Sequence, residues 1–271
     1  MNGKRKFKLY AFFLFLNIFK ISVIYAQNGE DKTVTVNSEI TNIEVTVSGI
    51  DVIIEPTEKS GISYKQELSE GSNLSAVKRG NSLRFTGFRP SSGTIFIYVP
   101  KDYLLESCRI QTSNSTVKVS GIKAVYFVVS GTLSRAEITG SMLKNVLIAY
   151  SSGSIIFNSQ IVAVADFCLS SSKGSISIAE KIENCNVFIT QNKNESFTFN
   201  GETYGKNSLM LSPQKPKKFI TVSANFSNLA VEFVEPSSAL VEKFDKYGIS
   251  EFGPKRPPLR VNELSNFLPK N

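Results

Sequence analysis

The 271-residue chain has no histidine and only three cysteines, and these shortages exclude most side-chain catalysis. Without imidazole there is no Ser-His-Asp triad, no Cys-His pair, no His-ligated zinc and no imidazole acid–base. Three cysteines close at most one disulfide, so the chain is not a disulfide scaffold, and they are too scattered for a thiolate metal site. No glycine-rich phosphate loop precedes a helix, and no Asp-rich glycine repeat of the calcium-binding kind occurs. Catalytic, cofactor-binding and metal-ligating residues are therefore read as none, and no cofactor is expected. Helical periodicity is also missing, since no window between Gln27 and Pro236 holds an apolar stripe of useful length.

What the chain has in abundance is short β-type runs. Ile43 to Val47, Val52 to Ile54, Leu83 to Phe88 and Thr94 to Val99 alternate or are fully apolar, and Ser, Gly and Asn break them. Ile95-Phe96-Ile97-Tyr98-Val99 stops at Pro100, where a backbone donor is lost. Strand follows strand at roughly ten-residue intervals, the habit of all-β folds.

The stretch from Met1 to Ala26 reads as a signal peptide. Lys4, Arg5, Lys6 and Lys8 precede an apolar run from Leu9 to Phe19, and Ala26 supplies a small residue before Gln27. A retained membrane anchor over Leu9 to Ala26 is the competing reading, and Lys20 counts against it. No cysteine follows the apolar run before Cys108, which argues against a lipid anchor, and with the leader cleaved no stable membrane span is expected. The leader holds five of the 31 basic residues and none of the 23 acidic ones, so the rest carries +3 rather than +8. So weak a surplus gives no support for nucleic-acid binding.

The middle of the chain repeats. Gly153-Ser154-Ile155-Ile156-Phe157 returns as Gly174-Ser175-Ile176-Ser177-Ile178 and, degenerately, as Glu195-Ser196-Phe197-Thr198-Phe199. Ser115 to Val119 and Ser134 to Ile138 fit as earlier copies. A unit of about 20 residues with two short strands must stack on its neighbours to bury an apolar face. The expected fold is thus all-β, a β-solenoid with coils of 20–21 residues from about Ser115 to Asn200. An evenly spaced antiparallel sandwich is the competing arrangement. Ends of a solenoid need covering. Thr33 to Val99 is expected to serve one end, and Phe219 to Val222 with Leu229 to Phe233 to close the other. The organisation reads as a leader (1–26), an N-terminal β region (27–100), the solenoid (101–235) and a tail (236–271). In that tail Ala239 to Tyr247 suits a short helix, and Gly253 to Pro258 an extended basic, proline-rich stretch.

Cys108, Cys168 and Cys185 sit in apolar strand contexts and are read as buried small fillers, with a Cys168–Cys185 bridge between neighbouring coils as the alternative. Tyr126, Tyr150 and Phe157 are assigned to the core before a contact surface. Glu137, Asp166, Glu180, Glu183 and Glu195 fall at unmatched coil positions, and no two stand out as general acid and base.

Three stretches resemble the bacterial putative-adhesin β-repeat family, a domain of unknown function related to the head domains of autotransporter adhesins. They are Tyr98 to Leu104 with its Val-Pro-Lys strand end, Cys108 to Gly121, and the corners Tyr150 to Ile155 and Ser171 to Ile176. The resemblance implies a β-solenoid, a secreted, periplasmic or cell-surface setting and an interaction role with a protein or glycan. It supplies no catalytic residues. The expected function is a non-enzymatic, exported, adhesin-like envelope protein, and the alternative is a carbohydrate-active solenoid enzyme.

Overall fold

A computed structural model describes residues 22–24, 34–36, 39–88, 91–191, 196–205, 208–225 and 227–236. Among them there are twenty strands, one short 3-10 turn (Ile182–Asn184) and no α-helix. The strands in chain order begin with β1 (Ser22–Ile24), β2 (Val34–Thr35), β3 (Asn42–Ser48), β4 (Ile50–Thr57), β5 (Ser63–Leu68), β6 (Ser75–Arg79), β7 (Ser82–Gly87) and β8 (Gly93–Pro100). Next come β9 (Leu104–Ser113), β10 (Thr116–Ser120), β11 (Lys123–Thr132), β12 (Arg135–Ser151), β13 (Ser154–Ser170) and β14 (Lys173–Ala179). The last are β15 (Cys185–Gln191), β16 (Phe197–Phe199), β17 (Glu202–Tyr204), β18 (Ser208–Leu211), β19 (Lys218–Asn225) and β20 (Asn228–Val234).

Most strands pair in parallel and form eight stacked rungs, each with one strand on face A and one on face B. From one end the rungs are β7/β8, β3/β4, β9/β10, β11 with the start of β12, the rest of β12 with the start of β13, the rest of β13 with β14, β19/β20, and β15/β16. Strands β12 and β13 each run across both faces. The ladder slips between Thr139 and Met142, where Gly140 takes a left-handed φ of 57° and turns β12 from face B to face A.

The rungs hold together because inward side chains stack in register. One column on face A runs Val45, Ile110, Val129, Ile148, Phe167, Val222, Ile189. Facing it on face B are Ile54, Val119, Ile138, Phe157, Ile176, Val231 and Phe199. All belong to one buried core, and each such side chain contributes about 1.5–3 kcal/mol on leaving water. Phe157 and Phe167 meet across the core, edge to face, with ring centroids 5.2 Å apart.

The solenoid reading stands, and its coil length needs correction. Backbone partners Thr116, Arg135, Ser154 and Lys173 recur at a constant step of 19, the separation of Ser115 from Ser134, and so do Tyr126, Asn145 and Val164. The interval of 21 arose by matching Gly174 to Gly153, whereas Gly174 pairs with Ile155. Gly174 lies inside the core rather than at a corner, and its missing side chain leaves room for Leu169, whose Cδ1 would stand 2.6 Å from an added Cβ.

The second correction concerns the far end. Strands β19 and β20 do not close the stack; they slot between β13/β14 and β15/β16, so Asn228 pairs with Lys173 and Thr198 with Ala230. Closure falls instead to β17 and β18, antiparallel on β16 and β15. The opposite end follows the same plan in reverse chain order. There β5 and β6 pair antiparallel with β8 and β7, and β3/β4 lie one rung in. The outermost strands β1, β2, β17 and β18 are two to four residues long, which keeps the open edges short.

The inserted rung also decides the cysteines. Cys168 pairs with Ser223 and Cys185 with Lys218, so a whole strand separates them and all three thiols are free. Of the expected signal peptide only Ser22–Ile24 is described, as β1 on β6; its other residues, and the tail after Pro236 with its expected helix, lie outside the described residues.

Candidate functional site

The feature that repeats along the outside is the corner where face A turns into face B. At this corner Asn114, Leu133, Ser152 and Ser171 all take positive φ between 48° and 60°, in line with Gly49 at 77°. A left-handed residue with a side chain costs about 1–2 kcal/mol. Each is held by a hydrogen bond to the next rung: Asn114 N–H donates to Thr132 O (3.0 Å), Leu133 to Ser151 O (3.1 Å), Ser152 to Ser170 O (2.9 Å) and Ser171 to Asn225 O (2.8 Å).

One residue further on stands a buried serine column: Ser115, Ser134, Ser172 and Ser227. Each hydroxyl donates to the carbonyl two residues back, at 3.1, 2.9, 2.8 and 3.0 Å respectively. Ser134 Oγ and Ser227 Oγ also accept the amides of Ser115 and Ser172. The hydroxyls thereby satisfy backbone groups that the tight bend takes out of the ladder.

Gly153 interrupts this column. From sequence alone, Gly153→Ser looks like a repair that completes the row. The backbone leaves no space for it, because an added Cβ would lie 2.0 Å from the Ser134 carbonyl oxygen. The substitution is expected to destabilise the fold by about 1–3 kcal/mol through overpacking, measured as a fall in the urea midpoint; an unchanged or raised midpoint would refute this reading of the corner.

Along this corner lies a shallow groove of about 620 Å³ lined by Asp51, Thr116, Leu133, Arg135, Ser152 and Ser154, among others. Asp51 Oδ1 accepts the Thr116 amide at 2.7 Å, so this carboxylate anchors the rung. Arg135 is exposed and lies 3.8 Å from Glu137. Leu133 projects as an apolar tip, 63% exposed. The groove thus offers hydroxyls, one guanidinium, the exposed carboxamide of Asn114 and one aliphatic knob. Such a set recognises polar chains by hydrogen bonds and contact, and no base stands by to activate its hydroxyls.

The acidic residues considered from sequence are not brought together. Glu137 faces outward on face B, and Asp166 outward on face A, in register with Leu147 and Thr221. Burial pushes the Asp166 carboxyl above its ordinary value, and a hydrogen bond from Thr221 opposes this. Glu180 is buried at the other corner, where it takes the Lys218 ammonium, the Asn184 amide (2.9 Å) and the Lys181 backbone N–H (2.9 Å). Glu183 is exposed in the short 3-10 turn that follows, and Glu195 lies outside the described residues. Burial raises the thiols of Cys108 and Cys185 to about 12 and of Cys168 to about 11, which keeps them protonated and unreactive at neutral pH. Tyr150 and Phe157 are core residues as expected, while Tyr126 is half exposed on face A. No group of three or more His, Cys, Asp or Glu suited to a metal occurs among the described residues, and none of their helices is long and apolar enough to cross a membrane.

The left-handed corners and the anchoring role of Asp51 were not read from the sequence. Their signal was present in Ser113-Asn114-Ser115, Thr132-Leu133-Ser134 and Ser151-Ser152-Gly153, three tripeptides at the true coil spacing. A polar residue, a bend residue and a small residue recur there with no single shared letter at the bend.

The family model described as Toastrack DUF4097 matches residues 40–192. The chain belongs to the Toastrack family. The Toastrack match runs from just before β3 to just after β15, so it contains the rungs that follow one another in sequence and omits the inserted β19/β20. Among solved structures the chain is similar to one from Clostridium sporogenes described as a "putative cell adhesion protein", with 11% identity and a TM-score of 0.44 over 76% of this chain and 98% of that one. No curated protein gives a significant match.

Proposed function

We propose that this Toastrack protein is exported to the cell envelope or beyond and acts there without catalysis, as an adhesin-like or scaffolding module that binds an extended protein or glycan along its corner groove. The observation that carries the reading is the groove itself. Rung after rung presents a bend residue and a hydroxyl at the strand spacing of about 4.8 Å, with Arg135, Leu133 and Asn114 as side chains able to discriminate a ligand. An elongated polymer with repeating hydrogen-bonding groups suits such a surface better than a compact small molecule. The enzymatic alternative draws no support from the carboxylates, because Glu137 and Asp166 occupy opposite outer faces and Asp51 and Glu180 are committed to structural partners.

The test combines location with binding. Protease shaving of intact cells is expected to degrade or release the protein if it is on the surface, and to spare it if it is periplasmic. Residues 27–271 are expected to bind an immobilised matrix protein, envelope glycan or peptidoglycan. Arg135→Glu should weaken that binding about tenfold or more, the loss expected of a discriminating contact, with the circular dichroism spectrum unchanged. Absence of binding to every one of these, together with normal attachment and envelope integrity in a deletion strain, would defeat the proposal.

A further inference from the structure

The break in the serine column at Gly153 leaves one backbone donor over. The amides of Ser115 and Ser172 each donate to the hydroxyl one rung on, Ser134 Oγ and Ser227 Oγ. Ser134 holds the same place in its own rung, and Gly153, one rung on, has no hydroxyl to offer. No other acceptor for the Ser134 N–H occurs among the described residues. This residue lies on the wall of the corner groove and is only 5% exposed. A buried N–H without a partner is uncommon in folded chains. Leu133 beside it carries two costs at once, a left-handed φ of 51° and an aliphatic side chain held out in solvent, and strain of that kind gathers at sites of contact. Charge adds a third observation. In the outward row that starts from the corner, Arg135, Ser154 and Lys173 are in register on successive rungs. The two cations therefore stand two rungs apart, about 9–10 Å along the stack. Both are exposed, and Lys173 makes no ion pair with a described residue. The acid of this row, Asp51, lies beyond Thr116 at the other end of the groove, with one oxygen committed to the Thr116 amide.

We propose that the corner groove takes an acidic glycan, a chain of sugars bearing carboxylates, and that Arg135 and Lys173 bind two of those carboxylates. This rests on the groove being the binding surface, and adds the chemistry of what it holds. One ligand oxygen meets the Ser134 N–H, standing in for the hydroxyl that Gly153 lacks. The limit that bars a side chain at Gly153 comes from its Cβ, set 2.0 Å from the Ser134 carbonyl oxygen; an oxygen not tethered to Gly153 is free of it. Arg135 supplies a forked donor for the same carboxylate. Sugar hydroxyls exchange hydrogen bonds with Ser152, Ser154 and the Asn114 carboxamide, and Leu133 covers an apolar C–H face of a ring. Asp51 repels a further carboxylate, so the run of bound charges extends from Arg135 toward Lys173 and not the other way. An acidic peptide fits less well. The bend amides of Asn114, Leu133, Ser152 and Ser171 are all spent on the next rung, so the corner has no strand edge on which a peptide backbone could pair.

Calorimetric titration of residues 27–271 tests this with hyaluronate and polygalacturonate, with both polymers after reduction of their carboxylates to alcohols, and with poly-glutamate. At least one acidic glycan is expected to bind, and reduction to weaken it about tenfold or more, the loss expected when a charged hydrogen-bond partner is removed. Arg135→Gln and Lys173→Gln should each cost about tenfold as well. Glu137→Gln, which removes the acid 3.8 Å from Arg135, should tighten binding. Lys59→Gln, at an exposed lysine in the turn after β4, should change nothing. All four side chains lie outside the core, so the circular dichroism spectrum should stay that of the wild type. Equal binding of native and reduced polymer, with Arg135→Gln still weakening both, would overturn the acidic ligand and leave the groove reading in place. Equal losses in Lys59→Gln and Lys173→Gln would reduce the attraction to net charge and overturn the site. Poly-glutamate bound as tightly as the glycans would overturn the choice of a glycan. No binding of any polymer would overturn this inference, while the matrix-protein and peptidoglycan assays decide the wider reading separately.

Discussion

Glu180→Ala is expected to cost about 3–5 kcal/mol of stability at neutral pH, the toll of stranding a buried charge without its partner. The carboxylate joins the end of β14 to Lys218 at the start of β19, and it also holds Asn184 and the Lys181 amide. Its loss therefore loosens the attachment of the inserted rung as well as leaving an ammonium in a site that is 13% exposed. A urea titration followed by circular dichroism measures the effect; a change below about 1 kcal/mol would place the pair among those that contribute little.

The same pair gives a pH signature. Burial outweighs the attraction of Glu180 and pulls the Lys218 ammonium from 10.5 down to about 8. Between those values the unfolded chain holds a proton that the folded chain has released. Unfolding then takes up a proton, so stability rises with pH across this window, by at most about 1.4 kcal/mol per unit. Relative to Lys218→Met, which cannot titrate there, the wild-type midpoint should climb between pH 8 and 10. A flat difference would show that Lys218 keeps its proton.

Phe167→Ala is expected to destabilise by a similar amount, about 3–5 kcal/mol, for a different reason. Phe167 is fully buried between Ile148 and Val222 in its column, and its ring meets the edge of Phe157 from face B. Truncation leaves a cavity that parallel rungs on both sides cannot close without breaking register, and it removes an aromatic contact worth about 0.5–1.5 kcal/mol. The double variant with Phe157→Ala should cost less than the sum of the two single variants, because the shared contact is lost only once. Additivity within error would mean that the two rings act independently.

Much of this architecture was legible from local chemistry. Alternation located the strands, since inward Val, Ile and Phe stand against outward Ser, Thr and Lys in Thr116 to Ser120 and its copies. The corners announced themselves as Ser-rich breaks, and the pair Ser115 and Ser134 already carried the true spacing. Glycine is a poor corner marker here, and the interval of 21 between Gly153 and Gly174 is not the coil length. Gly153 sits where a Cβ would strike a carbonyl, while Gly174 sits where a Cβ would strike Leu169, and the same letter answers two unrelated packing problems. The place of β19/β20 was not legible at all. Parallel neighbours pair through backbone groups common to every residue, so adjacency of Asn228 to Lys173 leaves no mark on either segment. The candidate groove was visible in part, as a hydroxyl ladder. The roles of Asp51 and Leu133 were not, because each depends on a partner in another rung, Thr116 for the first and Ser151 for the second.

The inserted rung fixes an order of assembly for a chain that emerges from its N-terminal end. Once residue 179 has emerged, every rung before β13/β14 has its partners among residues already made, while β13 and β14 still lack β19 and β20. The next segment to appear, β15 to β18, can close its own antiparallel pairs but has no seat on the stack until residues 218–234 follow it. Between the emergence of Leu211 and that of Val234, the open edge at β13/β14 and the antiparallel pairs of β15 to β18 have no strand to join them. Completion of the fold is thus tied to the arrival of the last strand, and a chain halted before Asn228 has an unsealed edge rather than a shorter version of the same stack.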